Sequence, residues 1–201
     1  MSRCAASISW RRAVPPVDDG LYVPLGDDDL ELVPLAEEHR EGLRAACDAD
    51  GEIWQIYPFS YAGEAFDRQF DLMLSPDRPR RCYVVMLAGE IVGMTAWIEH
   101  GAPGHSIEIG NSYIIPRLRG TGFNRRVKTL LLDHAFGQGL VRVGFKVDEI
   151  NQRSQAAVLK LGCTKEGVLR SERVTWTGRM RDTGVFSLLA SEWAAQRAAG
   201  A

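Results

Sequence analysis

The stretch Ile114-Ile115-Pro116-Arg117-Leu118-Arg119-Gly120-Thr121-Gly122-Phe123-Asn124 joins a strand end, a proline and two glycines to the start of a helical pattern. Glycine lets a backbone turn tightly and approach a ligand closely, and the helix that follows offers unpaired N–H groups and the positive end of its dipole to an anion. A pyrophosphate suits such a turn. It is not a P-loop, since no Gly-Lys-Ser/Thr follows, and the third glycine of the dinucleotide fingerprint is missing. A plain strand-to-helix connection would use the same residues, so the flanks decide. Arg117, Arg119, Arg125, Arg126 and Lys128 cluster around the turn in a chain of formal net charge −2. That pattern points to a small anionic ligand, or to an exposed charged helix face, and not to nucleic acid.

The flanks carry further blocks in order: Glu108-Ile109-Gly110, Leu130-Leu131-Leu132-x-His134-Ala135-Phe136, Val147-Asp148-x-x-Asn151-x-x-Ser154, Leu161-Gly162-Cys163, Glu166-Gly167-Val168-Leu169-Arg170 and Arg181-Asp182 before Phe186-Ser187-Leu188-Leu189. Over about residues 30–193 the chain resembles the GNAT acetyltransferases, and more narrowly the Rim-type protein N-terminal acetyltransferases. The resemblance implies an enzyme that transfers acetyl from acetyl-CoA, as cosubstrate, to a primary amine by direct attack on the thioester. The implied acceptor is a protein N-terminal α-amine. A small-molecule amine (antibiotic, polyamine or amino-acid derivative) is the alternative within the same chemistry, and a non-catalytic acyl-CoA-binding domain the alternative outside it. In the family's terms the Ile114 backbone pairs with the pantetheine arm and helps hold the thioester carbonyl, while Gly120, Thr121, Gly122, Phe123 and Asn124 cradle the pyrophosphate beside Arg117 and Arg119. The signature fits literally as Arg117-x-x-Gly120-x-Gly122. The register Arg119-x-x-Gly122-x-Asn124 better keeps the spacing from Pro116 and is preferred, with Asn124 where relatives carry Gly or Ala.

Amine acetylation needs an unprotonated amine, so a side chain must accept a proton near neutral pH. Glu108 is the candidate. Period two puts Glu108, Gly110, Ser112 and Ile114 on one strand face if no bulge intervenes. A surface glutamate paired with a basic neighbour is the competing reading. Asn151 and Ser154 open a helix, where either serves as a cap. The resemblance adds Asn151 as a catalytic and cofactor contact and Ser154 as proton donor to the leaving thiolate, because Val158 stands where many relatives carry a tyrosine acid. The proline-broken segment holding Trp54, Tyr57 and Phe59 either plugs the core or lines a pocket; with Trp97 it is expected on the acceptor side.

Hydrophobic patterning supplies the elements that must hold these residues. A strand over 30–35, helices over 36–49 and 62–74, strands over 82–87, 91–98 and 107–115, a helix over 123–138, a strand over 141–148, a helix over 152–161 and a final hairpin at Thr177-Gly178 follow in order. The expectation is an α+β GNAT fold whose mixed, mostly antiparallel central sheet of about seven strands is flanked by about four helices. Residues 1–29, rich in Ser, Arg, Pro and Asp, read as a flexible arm, and 30–201 as the acetyltransferase domain.

With 201 residues, 45% hydrophobic and 25% charged, the chain fits one soluble domain. Four scattered cysteines, Cys4, Cys47, Cys82 and Cys163, form no CxxC pair, and the four histidines have no ligand spacing, so no metal is expected. There is no export signal and no membrane-spanning run, which places the expected protein in the cytoplasm as a monomer or homodimer without membrane or nucleic-acid partners.

Overall fold

The computed structural model describes residues 20–99 and 105–199. Residues 1–19 of the expected arm, Cys4, His100 and residues 101–104 lie outside them. The domain begins earlier than position 30. Strand β1 (Leu25–Asp27) turns through Asp28 into β2 (Leu30–Pro34) and pairs with it antiparallel. Upstream, Leu21 is buried, and His134 Nε2 lies 3.0 Å from the Gly20 carbonyl. Residues 20–29 therefore belong to the sheet and its cover, because tertiary pairing overrides their loop-like composition.

Helices α1 (Arg40–Asp48) and α2 (Phe66–Leu74) bury the stripes Leu43, Ala46, Cys47 and Phe66, Phe70, Met73. Both start later than their periodicity implies, since each is entered through a 3₁₀ turn. The meander β3 (Arg80–Leu87), β4 (Glu90–Glu99) and β5 (Ser106–Ile114) follows. Then come α3 (Phe123–Gly137), β6 (Arg142–Asp148), α4 (Gln152–Lys160), β7 (Thr164–Val174), β8 (Met180–Leu189) and α5 (Ala190–Ala199). Eight strands lie in the order β1-β2-β3-β4-β5-β6-β8-β7, antiparallel except β5 beside β6. The unanticipated elements are the three-residue β1 and the C-terminal α5, whose Trp193 is buried and donates to Asp133 at 2.7 Å.

Two irregularities in β5 shape everything downstream. On one edge it pairs with β6 only at Ser106, Ile107 and Glu108, and the two strands then separate. On the other edge its register with β4 shifts between Met94 and Ala96, so that Asn111 and Ser112 oppose Thr95 alone. This β-bulge carries Asn111 at φ 50°. It reverses strand parity. Glu108 and Gly110 share the face of Met94, Ala96 and Tyr113, while Ser112 and Ile114 share the opposite face with Gly93 and Thr95. The expectation that Glu108 and Ile114 point the same way is thus corrected.

The core gathers against both faces. Trp54 and Trp97 have no exposed surface. Trp54 packs among Tyr57, Tyr61 and Tyr113 and donates its indole N–H to the Cys47 carbonyl at 3.2 Å. Both tryptophans are core, and of the four aromatics expected on the acceptor side only Tyr57 and Phe59 keep exposed surface. Trp54→Ala should therefore lower the unfolding free energy by about 3–5 kcal/mol in urea titrations, the cost of a large buried aromatic. A loss under about 1 kcal/mol would mean that Trp54 is not packed as described.

Candidate functional site

The candidate site lies where β5 and β6 part, at the end of β5 that leads through a glycine turn into α3. Ile115 N–H donates to the Val92 carbonyl on β4, so antiparallel alternation turns the N–H and C=O of Ile114 away from β4, into the gap. The Ile114 carbonyl accepts from Arg119 Nε at 2.8 Å. Its N–H has no protein acceptor among the described residues. A preorganised N–H at such a position can receive charge that develops on a carbonyl oxygen.

After β5, Pro116 to Leu118 make one 3₁₀ turn, and Gly120 (φ 79°) and Gly122 (φ 89°) swing the chain into α3. Left-handed backbone of this kind strains any residue with a Cβ. Open space surrounds both glycines: a Cβ built on either would meet no atom within 4 Å. Among the described residues the amides of Gly120, Thr121, Gly122 and Asn124 donate to no protein acceptor, whereas Phe123 N–H reaches Thr121 Oγ1 at 3.4 Å. Free amides at the start of a fifteen-residue helix are suited to an anion.

The basic residues around the cradle divide sharply. Arg119 is folded inward: it ion-pairs with Asp50, bonds to Ile114 and lies over the Tyr113 ring, yet its Nη2 is buried without a partner among the described residues. Arg117 pairs with Glu90, Arg126 with Asp29, and Arg125 bonds to the Lys160 carbonyl. Lys128 is buried, although its sequence neighbourhood suggested a phosphate-reaching or exposed charge. It belongs to the apolar stripe Lys128, Leu131, Leu132, Ala135, a helical spacing that could have located it.

Glu108 lies on the opposite face of the sheet from Ile114. Its carboxylate sits over Gly110, where a Cβ would come within 3.2 Å of Oε1, and its Oε2 is 3.6 Å from Lys146 Nζ. Around it on the same side stand Asp148, ion-paired with Arg179 and Arg181, and Glu172, paired with Arg173. Across the gap, Asn151 caps α4 by accepting from Ser154 N–H at 3.0 Å, as its position suggested. Val158 is buried, so the position of the relatives' tyrosine is core.

Tyr57 reaches the bulge and donates its hydroxyl to the Ser112 carbonyl at 2.6 Å. Burial pushes that hydroxyl up to about 12, against the opposing pull of Arg119 and Arg153. The phenol is a donor at neutral pH. Phe59 lies at the surface. The β7–β8 hairpin adds a residue that sequence reasoning passed over: Trp176 donates its indole N–H to the Trp54 carbonyl at 2.7 Å and its backbone N–H to Pro58, bridging the hairpin tip to the aromatic loop. A lone tryptophan in a turn carries no sequence signal for that contact.

The family model for the acetyltransferase (GNAT) domain matches residues 29–164, more than half the chain, and the chain belongs to this family of N-acetyltransferases. A structure from T. thermophilus described as an acetyltransferase is 31% identical, with 87% of this chain and 93% of that one covered at a TM-score of 0.76. One from Chromobacterium violaceum, described as a GNAT-family acetyltransferase, is 26% identical over 96% and 98% of the two chains, TM-score 0.81. The spermidine N-acetyltransferase of Vibrio cholerae in complex with CoA and spermine shares the fold at 23% identity, covering 84% and 99%, TM-score 0.68. No curated protein matches the chain. No described helix is long and apolar enough to cross a membrane.

Burial alone pushes the Lys128 amine down to about 7 from 10.5. Between those values the unfolded chain holds a proton that the folded chain has released, so stability should rise with pH across that interval and be flat below it. The difference in unfolding free energy between wild type and Lys128→Met, followed in urea from about pH 6 to 10, should grow in favour of wild type above about pH 7. A difference constant over the whole range would show that Lys128 does not titrate there.

Proposed function

We propose that this enzyme takes acetyl-CoA as cosubstrate and acetylates the N-terminal α-amine of a protein, as the Rim-type resemblance implies. The observation that carries the reading is the gap between β5 and β6, lined by the Ile114 N–H and closed at one end by the free amides of residues 120–122 and 124. Its features suit the cosubstrate: unpaired strand backbone for an amide-bearing arm, and an open, glycine-flanked cradle of free amides for a pyrophosphate. Acetyl-CoA, when bound, supplies an activated acetyl thioester.

The protein's own groups then divide the work. Glu108 removes a proton from the incoming amine, directly or through water. The Ile114 N–H donates to the oxygen that gains charge, and the Ser154 hydroxyl, which has no partner among the described residues, donates a proton to the departing sulfur. Asn151 holds the α4 N-terminus, and with it Ser154, against the gap. Tyr57 and Phe59 face the acceptor, joined there by Trp176. An α-amine titrates near 8, roughly two units below a lysine or polyamine nitrogen, so a single carboxylate suffices to free it. Each carboxylate mapped on the acceptor face, Glu108, Asp148 and Glu172, has a cationic neighbour. That arrangement disfavours a polycation, and the spermidine enzyme's likeness is one of fold.

Glu108→Gln should lower kcat by about 10²–10⁴ at neutral pH while the acetyl-CoA Kd stays within about twofold, and the loss should shrink as pH rises and free amine accumulates. Turnover near wild type at pH 7, measured as thiol release with pooled peptides and amines, would remove Glu108 from the chemistry. Gly122→Val should raise the acetyl-CoA Kd at least about tenfold, or about 1.4 kcal/mol. Unchanged calorimetric binding by a folded variant would rule the cradle out.

A further inference from the structure

The bulge at Asn111–Ser112 sends Glu108 to one face of the sheet and leaves the Ile114 N–H in the gap, and a one-residue slip would undo both. It is also costly, since Asn111 sits in the left-handed region and Thr95 must oppose two residues. On the α1–α2 side it is clamped by Tyr57 on the Ser112 carbonyl, by Tyr61 OH donating to Asn111 Oδ1 at 2.6 Å, and by Asn111 Nδ2 on Met73 Sδ at 3.2 Å. On the α3 side the clamp is Lys128. Its Nζ donates to Ser112 Oγ at 2.6 Å and to Thr95 Oγ1 at 3.1 Å, joining both strands at the irregular step.

The fold alone does not require that amine. Thr95 Oγ1 and Ser112 Oγ are 3.0 Å apart and can satisfy each other, while a lysine buried with no carboxylate partner among the described residues is expensive. What the lysine adds is direction. With Nζ donating, Ser112 Oγ accepts on that side and its own proton is free for the Gly110 carbonyl at 3.3 Å, so one hydroxyl ties the two ends of the bulge across Asn111.

We infer that Lys128 is a positioning residue for acetyl transfer, acting through Ser112 to lock the β5 bulge in the register that separates the Glu108 carboxylate from the Ile114 N–H. The inference rests on the proposed reaction for its kinetic arm only. Lys128→Met keeps the length and removes the donor. It should lower kcat at least about tenfold with the KM for acetyl-CoA within about twofold, because a displaced donor is missed mainly in the transition state. It should melt at or above the wild-type temperature at neutral pH. Without any ligand, amide hydrogen exchange of the peptide spanning 108–115 should rise by about tenfold while exchange in α5 is unchanged. Ser112→Ala, which keeps the lysine but removes its nearer acceptor, should reproduce the kcat loss and the faster exchange, and in these the double variant should lose no more than either single one. If Lys128→Met does not fold, Ser112→Ala decides by the same readouts. Unchanged exchange over 108–115, wild-type kcat in the folded variant, or additive losses in the double variant would each overturn the inference. A wild-type protein that releases no thiol with any amine would instead remove the acetyl-transfer reading and leave the exchange result to stand by itself.

Discussion

Strands β5 and β6 hold each other over three residues and then part, and the gap between them is the feature around which the neighbouring elements are arranged. A sheet interior normally pairs every backbone group, since an unpaired buried amide costs as much as a lost hydrogen bond. Here the unpaired edge is left available because those elements bear on it. Helix α3 aims its free amides at one end, α4 presents its capped N-terminus from across the gap, and Arg119 occupies the Ile114 carbonyl that would otherwise be orphaned. The gap is a polar slot held open by a rigid frame, which suits an arm that itself carries amide groups.

The bulge in β5 divides labour between the faces of the sheet. The face shared with α1 and α2 carries Glu108 and a set of acid–base pairs; the other carries Ser112 and Ile114 against α3. The Glu108 carboxylate thereby stands on one face while the Ile114 N–H points edgewise into the gap, only six residues further along the chain. On the proposed reaction, an amine approaching from the Glu108 face and a cosubstrate lying along the edge would meet there without competing for the same surface. The aromatic loop contributes from the core outward: Trp54 fills volume, and because it is fully packed, Tyr57 is held firmly enough to donate to Ser112.

Local signals in the chain are strong where one element decides the outcome. The turn from Pro116 to Asn124 is readable because positive φ at Gly120 and Gly122 is a demand of the backbone itself, met by glycine irrespective of the surroundings. The meander and the βαβ unit are readable because their hydrophobic periods are long and clean, and Asn151 is readable as a cap because capping involves neighbours three residues apart. The resemblance to the GNAT enzymes drew on these same blocks, and the family match and fold agree with it.

The order of elements, the glycine turn into α3 and the family are therefore written in the chain itself. Which residues face one another is not. A bulge is a property of two paired strands, so nothing in Glu108-Ile109-Gly110-Asn111-Ser112 reveals that parity reverses within it. Burial of Trp54 depends in part on Tyr113, on a strand far along the chain, and the bridge from Trp176 to Trp54 spans 122 residues. Lys128 shows the difference most plainly. Its charge marks it as a surface residue by type, and only the packing of α3 onto β4 and β5 brings Thr95 and Ser112 close enough to hold its amine inside the protein.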